Sequence, residues 1–295
     1  MRIALLANPV AGRGHGRQRA ERLATLLLRR GHKVEFRVTQ GPGVAAALAA
    51  EIAPETERLV VAGGDGTLNE VVNGLVDPGR IPLAPLAVGT ANMLARELRL
   101  PKQPEALVPF LERAPVQRMD LALANGQRCV GVVGVGFDAW LTQAVQQRRG
   151  RRLGFSGWVL PILRTLRHYQ PPRLCVCVGD GTPFPSSFAV VANLANYGGL
   201  FRLAPEAGPG SGDLQLCSLE RARIRDIARV VWPAARGRIA RCRGVRMLST
   251  ERVRILAEGA PVPVEIDGDP AGTTPLSVEL LPGALPVVAP TLGPC

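Results

Sequence analysis

The sequence predicts an α/β domain built on a parallel sheet, followed by an all-β domain. Three observations carry this. Residues 1–100 alternate apolar, strand-like runs with segments of helical periodicity. Beyond Met119-Asp120 that alternation gives way to short strand-like runs separated by turn residues. Glycine and polar residues also recur directly after the strands of the first part, where a parallel sheet gathers its loops on one edge. A chain of 295 residues is long enough for two domains, each with its own core.

In order, Arg2–Ala7 reads as a strand and Asn8–Gly16 as a Gly-rich loop. Arg17–Arg30 has Leu23, Leu26 and Leu27 on one face and ends at Gly31, the pattern of an amphipathic helix. Val34–Val38 is a second strand and Val44–Ile52 an Ala-rich helix. Leu59–Ala62 is a third strand, and a helical face of Leu68, Val71, Val72 and Leu75 follows it at once. Leu83–Val88 is a fourth strand, then Gly89-Thr90 and a helix through Asn92–Leu98. The expected architecture is a Rossmann-like parallel sheet with helices on both faces. Pro101–Arg118 adds a helix and a connection. The strand-like runs beyond it are Asp120–Ala124, Cys129–Val135, Arg173–Val178, Phe188–Ala192, Asp213–Leu219, Val253–Ala257, Val262–Ile266 and Leu276–Leu281. They predict an antiparallel sandwich or barrel. The boundary falls near 119, giving domains of 1–119 and 120–295, with the last residues free to return to the first domain.

Hydrophobic residues make up 46% of the chain, yet no apolar run approaches the ~20 residues of a membrane span. Met1–Ala7 reads as a strand rather than a secretion signal, because Asn8-Pro9 ends it. The formal charge is +12, and all basic residues but Lys33 and Lys102 are arginines. Such a balance suits anionic lipid or anionic substrates. Aromatics at 4% argue against a base-stacking platform, so nucleic acid is not an expected partner. Cys129, Cys175, Cys177, Cys217, Cys242 and Cys295 form no C-x-x-C pair. The expectation is buried thiols, no zinc, no disulfides and a cytoplasmic compartment. Two stretches are Arg-rich. Ala139–Pro172 has six arginines, no acidic residue and Trp158 among interleaved apolar residues. It reads either as a segment lying on an anionic membrane or as a helix packed on the sandwich. Arg221–Arg246, broken by Trp232-Pro233, reads as a solvated helical face.

The most informative stretch is Gly63-Gly64-Asp65-Gly66-Thr67-Leu68-Asn69-Glu70, a strand-to-helix turn. Its glycines let a ligand approach the backbone, and the helix start offers free N–H groups to a phosphate. An aspartate there calls for a cation beside the phosphate; the plain alternative is a helix cap. Asn8-Pro9, Thr39 and Gly89-Thr90 should emerge at the same sheet edge and share one site. A second region, Val264-Glu265-Ile266-Asp267-Gly268-Asp269-Pro270, runs a strand into an Asp-Gly turn. On an extended chain Asp267 and Asp269 point to the same side, where two carboxylates could hold a cation or handle a proton. The plain alternative is a hairpin turn. The chain has no G-x-x-x-x-G-K-S/T loop, H-R-D, D-F-G or G-x-S-x-G motif.

Asn8-Pro9-Val10-Ala11-Gly12, Gly63–Glu70, Gly89-Thr90-Ala91-Asn92, Gly134–Ala139 and Asp267-Gly268-Asp269-Pro270 occur in this order along essentially the whole chain. In this the sequence resembles the diacylglycerol kinase catalytic-domain family, which includes bacterial lipid kinases and sphingosine and ceramide kinases. The resemblance implies a fold like that of NAD kinase and diacylglycerol kinase: a nucleotide-binding α/β domain, a β-sandwich for the lipid, and ATP bound in a cleft between them. It implies ATP contacts from Asn8, Thr39, Gly63, Gly64, Asp65, Gly66, Thr67, Leu68, Asn69, Gly89 and Thr90. Asp65 would organise Mg²⁺ through water, Asp267 would support that network, and Asp269 would be the general base. The sequence departs from the family pattern at Ala11, where serine is usual, at Met93, where many members have aspartate, and at Asp269, often glutamate. The family's structural-metal loop reads Gly208-Pro209-Gly210-Ser211-Gly212-Asp213, leaving Ser211 and Asp213 as ligands by position. The implied activity is transfer of the γ-phosphate to a lipid hydroxyl of diacylglycerol, ceramide or sphingoid, or phosphatidylglycerol type. Its setting is the inner face of the membrane, in contact with an anionic surface, with a homodimer left open. The competing readings are a non-catalytic nucleotide- or lipid-binding module and an NAD kinase-like enzyme.

Overall fold

In the computed structural model residues 1–146, 169–199 and 201–290 are described. The basic segment Ala139–Pro172 therefore lies largely outside the described residues. Two compact units form: 1–121 with 208–211 and 281–295, and 122–207 with 212–280.

In the first unit, β1 (Arg2–Ala7), β2 (Lys33–Val38), β3 (Arg58–Gly63) and β4 (Leu83–Ala87) pair in parallel in the order β2-β1-β3-β4. Runs such as Ile3-Ala4-Leu5-Leu6-Ala7 are buried throughout, as the covered strands of a parallel sheet must be. Helices α1 (Gly16–Arg29) and α5 (Pro104–Arg113) place Leu23, Leu27, Leu107 and Leu111 on Ile3, Leu5 and Val60. Helices α2 (Val44–Ala50) and α3 (Asp65–Gly74) pack on each other where Gly74 meets Ala46 without room for a Cβ. The short α4 (Met93–Glu97) follows β4.

The second unit holds two antiparallel sheets. Strand β5 (Val116–Ala124) begins in the first unit and ends in the second, where Ala122–Ala124 pairs with β6 (Gln127–Cys129) in a hairpin. One sheet contains β7 (Val132–Val135), β10 (Phe188–Ala192), β13 (Leu214–Leu219), β14 (Val245–Thr250), β16 (Pro263–Ile266) and β17 (Asp269–Thr273), ordered β14-β13-β10-β7-β16-β17. The other contains β8 (Leu174–Val178), β9 (Phe184–Ser186), β15 (Arg252–Ala257) and the start of β18 (Leu276–Val288). Val133, Val135, Val191, Leu216 and Val264 of the first sheet pack on Val176, Val253, Ile255 and Val278 of the second. This is the expected sandwich. The far end of β18 belongs to the first unit, where Val287 pairs with Leu83 of β4.

Two details differ from the sequence reading. Cys129–Val135 is not one strand but β6 and β7, because the N–H groups of Val130 and Gly131 turn to a side chain described below. Trp232-Pro233 does not break its helix: Ile224–Ala235 is continuous through Pro233, with Val230 and Ala234 buried. Pro233 has no N–H to give the Arg229 carbonyl, and the helix runs only two residues past it, to Ala235. Among the described residues no helix is long and apolar enough to cross a membrane.

Candidate active site

The parallel order of β1 to β4 brings the loops after them to one sheet edge. Asn8 knits two of these loops together. Its N–H donates to the Ala62 carbonyl (2.9 Å), its Oδ1 accepts the Val10 N–H (3.1 Å), and its Nδ2 donates to Thr67 Oγ1 (2.8 Å). Thr39 is buried at the end of β2, its N–H donating to the Ala7 carbonyl (2.9 Å). Gly12, at φ +59°, lies so close to Val88 that a Cβ would strike its carbonyl. Loop compaction at this edge thus depends on missing side chains.

The glycine loop is packed the same way. A Cβ on Gly89 would fall 2.6 Å from the Gly64 Cα, so the two backbones touch. Asp65 opens α3, yet its carboxylate reaches the next loop. Oδ2 accepts the Asn92 N–H (2.8 Å) and Oδ1 the Met93 N–H (2.6 Å). It is therefore a cap, but of α4 rather than of its own helix. Asn92 takes a left-handed conformation (φ +49°) to present those donors, and its Nδ2 donates to the Gly89 carbonyl (2.6 Å). Its Oδ1 is buried with no hydrogen-bond partner among the described residues. Asn92 was part of a recognised motif but was given no role from sequence. A cavity of about 10 Å³, room for one water, is lined by Gly63, Gly64, Asp65, Leu68 and Asn92 among others. Leu68 is buried, and Asn69 is buried with its Oδ1 accepting from Asn73 Nδ2 (2.5 Å). Thr90 is exposed.

In the second unit Ile266 pairs with Asp269 across a two-residue turn, Asp267-Gly268, at φ +51° and +84°. Positive φ at both central positions defines a type I′ hairpin. The extended-chain argument for Asp267 and Asp269 therefore fails, because the chain reverses between them. Asp267 is only 6% exposed. Its Oδ2 accepts the Val130 N–H (2.8 Å), and its Oδ1 accepts those of Gly131 (2.7 Å) and Val132 (3.0 Å). Burial outweighs these three donors and holds the carboxyl above its ordinary range. Asp267, expected in the magnesium network, accepts three backbone N–H groups that fix the β6–β7 connection. Asp269 is half-buried at the start of β17. In the 208–213 loop Ser211 Oγ donates to the Gly208 carbonyl (3.1 Å), and Asp213 Oδ2 accepts from Gln215 Nε2 (3.3 Å). One carboxylate and one hydroxyl are few ligands for a hard cation. No group of three metal-ligating side chains occurs among the described residues.

Two buried acids in this unit were given no role from sequence. A Cβ on Gly134 would strike both Asp138 Oδ2 and Glu265 Oε1, so these carboxyls border the space that Gly134 leaves. Asp138 accepts from the Ala139 N–H (2.8 Å) and the Tyr197 hydroxyl (3.2 Å). Burial raises it to about 7. Glu265 is 1% exposed and accepts the Gly268 N–H (2.7 Å) at the turn. Burial, then the charge of Asp138, pushes it well above the carboxylate range. The signal available in sequence was an acid inside the apolar run Val262–Ile266 and a glycine opposite it.

A glycine-lined loop edge on a parallel sheet, followed by an antiparallel sandwich carrying an acidic turn, is an arrangement suited to a phosphotransferase. Residues 2–124 match the family model for the diacylglycerol kinase catalytic domain, and 131–289 match that for the YegS C-terminal NAD kinase beta sandwich-like domain. The chain belongs to the diacylglycerol kinase catalytic-domain family. Among similar proteins, the diacylglycerol kinase of Bacillus subtilis is 28% identical, over 93% of this chain and 91% of its own length. That of Mycobacterium tuberculosis is 26% identical over 99% and 96%. A crystal structure of a Bacillus anthracis diacylglycerol kinase superposes with a TM-score of 0.72 at 21% identity, covering 98% of this chain and 96% of that one. The last likeness bears on the fold.

Proposed function

We propose that the chain transfers the γ-phosphate of ATP to the hydroxyl of a membrane lipid in a Mg²⁺-dependent reaction. The acceptor would be of diacylglycerol, ceramide or sphingoid, or phosphatidylglycerol type, met at the inner face of the membrane. One observation carries the donor half: Gly64 and Gly89 touch backbone to backbone, with Asp65 bridging their two loops. This leaves a side-chain-free cradle of the kind that phosphate groups require. Residues Gly63–Thr67 and Gly89-Thr90 would hold the phosphates through backbone N–H groups, and Asn8 and Thr39 would shape the adjoining edge. The residues present fit a magnesium ion through the Asp65 carboxylate, which borders the glycine loops, and through the buried, unsatisfied Oδ1 of Asn92. Bound there, the ion supplies neutralisation of phosphate charge.

The acceptor half rests on Asp269. It would take the proton of the lipid hydroxyl as that oxygen attacks the γ-phosphorus, a role that needs hydrogen-bond reach and an ionised carboxyl. Asp267 and Glu265 would fix the turn that presents it. The test is Asp269→Asn, incubated with radiolabelled ATP and a total lipid extract. The expected result is loss of labelled lipid with nucleotide binding retained. Full transfer by the variant would remove Asp269 from the mechanism, and no labelled lipid from the wild type would overturn the kinase reading of this site.

A further inference from the structure

Helix α6 (Ile224–Ala235) carries two apolar faces, and among the described residues the fold uses only one. Val230 and Ala234 pack with Val190, Cys217 and Leu219 of the six-stranded sheet. Ile224, Ala228, Val231, Trp232 and Ala235 follow the i, i+4, i+7, i+8, i+11 spacing of a second stripe. That stripe faces solvent: Trp232 is 66% exposed, Ile224 47% and Val231 44%. It has no covering element among the described residues. Stretch 220–246 holds nine arginines against two acids, Glu220 and Asp226. Asp226 already pairs with Arg229 (3.7 Å), and the Arg236 guanidinium sits 3.5 Å over the Trp232 ring.

We infer that this stripe and its flanking arginines are a docking surface for an anionic lipid bilayer, with Trp232 and Val231 entering the headgroup boundary. Charge selects this occupant. A second copy would bring the same positive field against its own, whereas anionic headgroups complement it. Trp with Arg above its ring suits an interface, apolar body inward and cation at the phosphate level. The surface serves the lipid-kinase reading by bringing the second unit to the acceptor, but its physical basis is independent of catalysis. It goes beyond the solvated face expected for Arg221–Arg246, whose exposed arginines would meet the headgroups.

The test uses the full-length protein and sedimentation with vesicles of phosphatidylcholine, alone or containing phosphatidylglycerol. The wild type is expected to bind the anionic vesicles, less so as salt rises. The double variant Val231→Ser/Trp232→Ser should lower vesicle partition about tenfold or more, and Arg223→Gln/Arg225→Gln should lower it without touching any apolar contact. Both should phosphorylate a short-chain, water-dispersed lipid like the wild type. Wild-type partition by both variants would overturn the inference. So would unchanged partition joined to loss of a dimer on sedimentation velocity, which would assign the stripe to a second copy. If no lipid is ever phosphorylated while partition still follows the variants, the kinase reading fails and the docking surface stands.

Discussion

Replacing Asp267 by Asn distinguishes a metal ligand from a structural clamp. The carboxylate receives Val130 on one oxygen, and Gly131 and Val132 on the other, at 2.7–3.0 Å. Asparagine has a single acceptor oxygen. It can keep the Gly131 and Val132 bonds, but its amide NH₂ then confronts the Val130 N–H. An orphaned buried donor costs about 1–3 kcal/mol, and turning two charge-assisted bonds into neutral ones removes roughly 0.5–1 kcal/mol each. Part of this is returned, because burial already disfavours the charge. The net loss is about 2–3 kcal/mol, a fall in melting temperature of roughly 5–10 °C. Circular dichroism melts in EDTA read this without metal. A Mg²⁺ ligand would give the opposite pattern: a variant melting like the wild type in EDTA and missing only the gain that Mg²⁺ brings. A variant within about 1 °C of the wild type in EDTA would refute the clamp.

Three further outcomes follow from the same geometry. Asp138 is raised by burial from 3.8 to about 7. The stability it contributes is therefore complete below about pH 4 and is lost as pH rises through 7, at most about 4 kcal/mol. Asp138→Asn should make the stability profile less steep between pH 4 and 8, with the remaining slope left to buried Glu265 and Asp267, and exceed the wild type at pH 8; parallel profiles in urea titrations would contradict this. Gly89→Ala drives a Cβ to 2.6 Å from the Gly64 Cα, while the reciprocal Cβ on Gly64 stands 3.4 Å from Gly89. Gly89→Ala should thus cost about 1–3 kcal/mol and most of the activity, and Gly64→Ala much less stability; equal melting temperatures would refute the ranking. Asp65→Asn should weaken nucleotide binding both with and without Mg²⁺, since it loosens a loop as well as a metal network. Isothermal titration in EDTA checks the metal-free part, and unchanged affinity there would confine Asp65 to the metal.

What was legible in the sequence was whatever local chemistry dictates. Buried runs such as Arg2–Ala7 and Leu83–Ala87 form strands because both faces are covered, and the glycine loops announce themselves by composition. What stayed hidden depends on partners far along the chain. The partners of Asp267 in the fold, the N–H groups of 130–132, were not legible because they lie more than 130 residues away. Glu265 carries no local mark of its burial, which comes from β16 lying between β7 and β17 with all four of its residues buried. Trp232-Pro233 looked like a breaker because proline lacks the N–H that an interior turn needs; the helix passes it but ends two residues later.

Asp65 and Asp267 share one physical device. Each is an aspartate beside a glycine at the end of a strand, and each sends its carboxylate to consecutive backbone N–H groups of another loop. Consecutive N–H groups pointing one way are what a loop cannot satisfy by itself, and a carboxylate is the side chain with enough acceptor sites to take them together. The devices differ in what is left over. At Asp267 the environment is closed and the carboxyl is pushed upward, so it serves structure. At Asp65 the surrounding glycines leave a side-chain-free edge, so the carboxylate that holds the α4 loop also borders the space a phosphate would take. The proposed donor site and the loop would therefore share one geometry: moving the Gly89–Asn92 loop would move the cradle, and a nucleotide bound there should in turn order that loop.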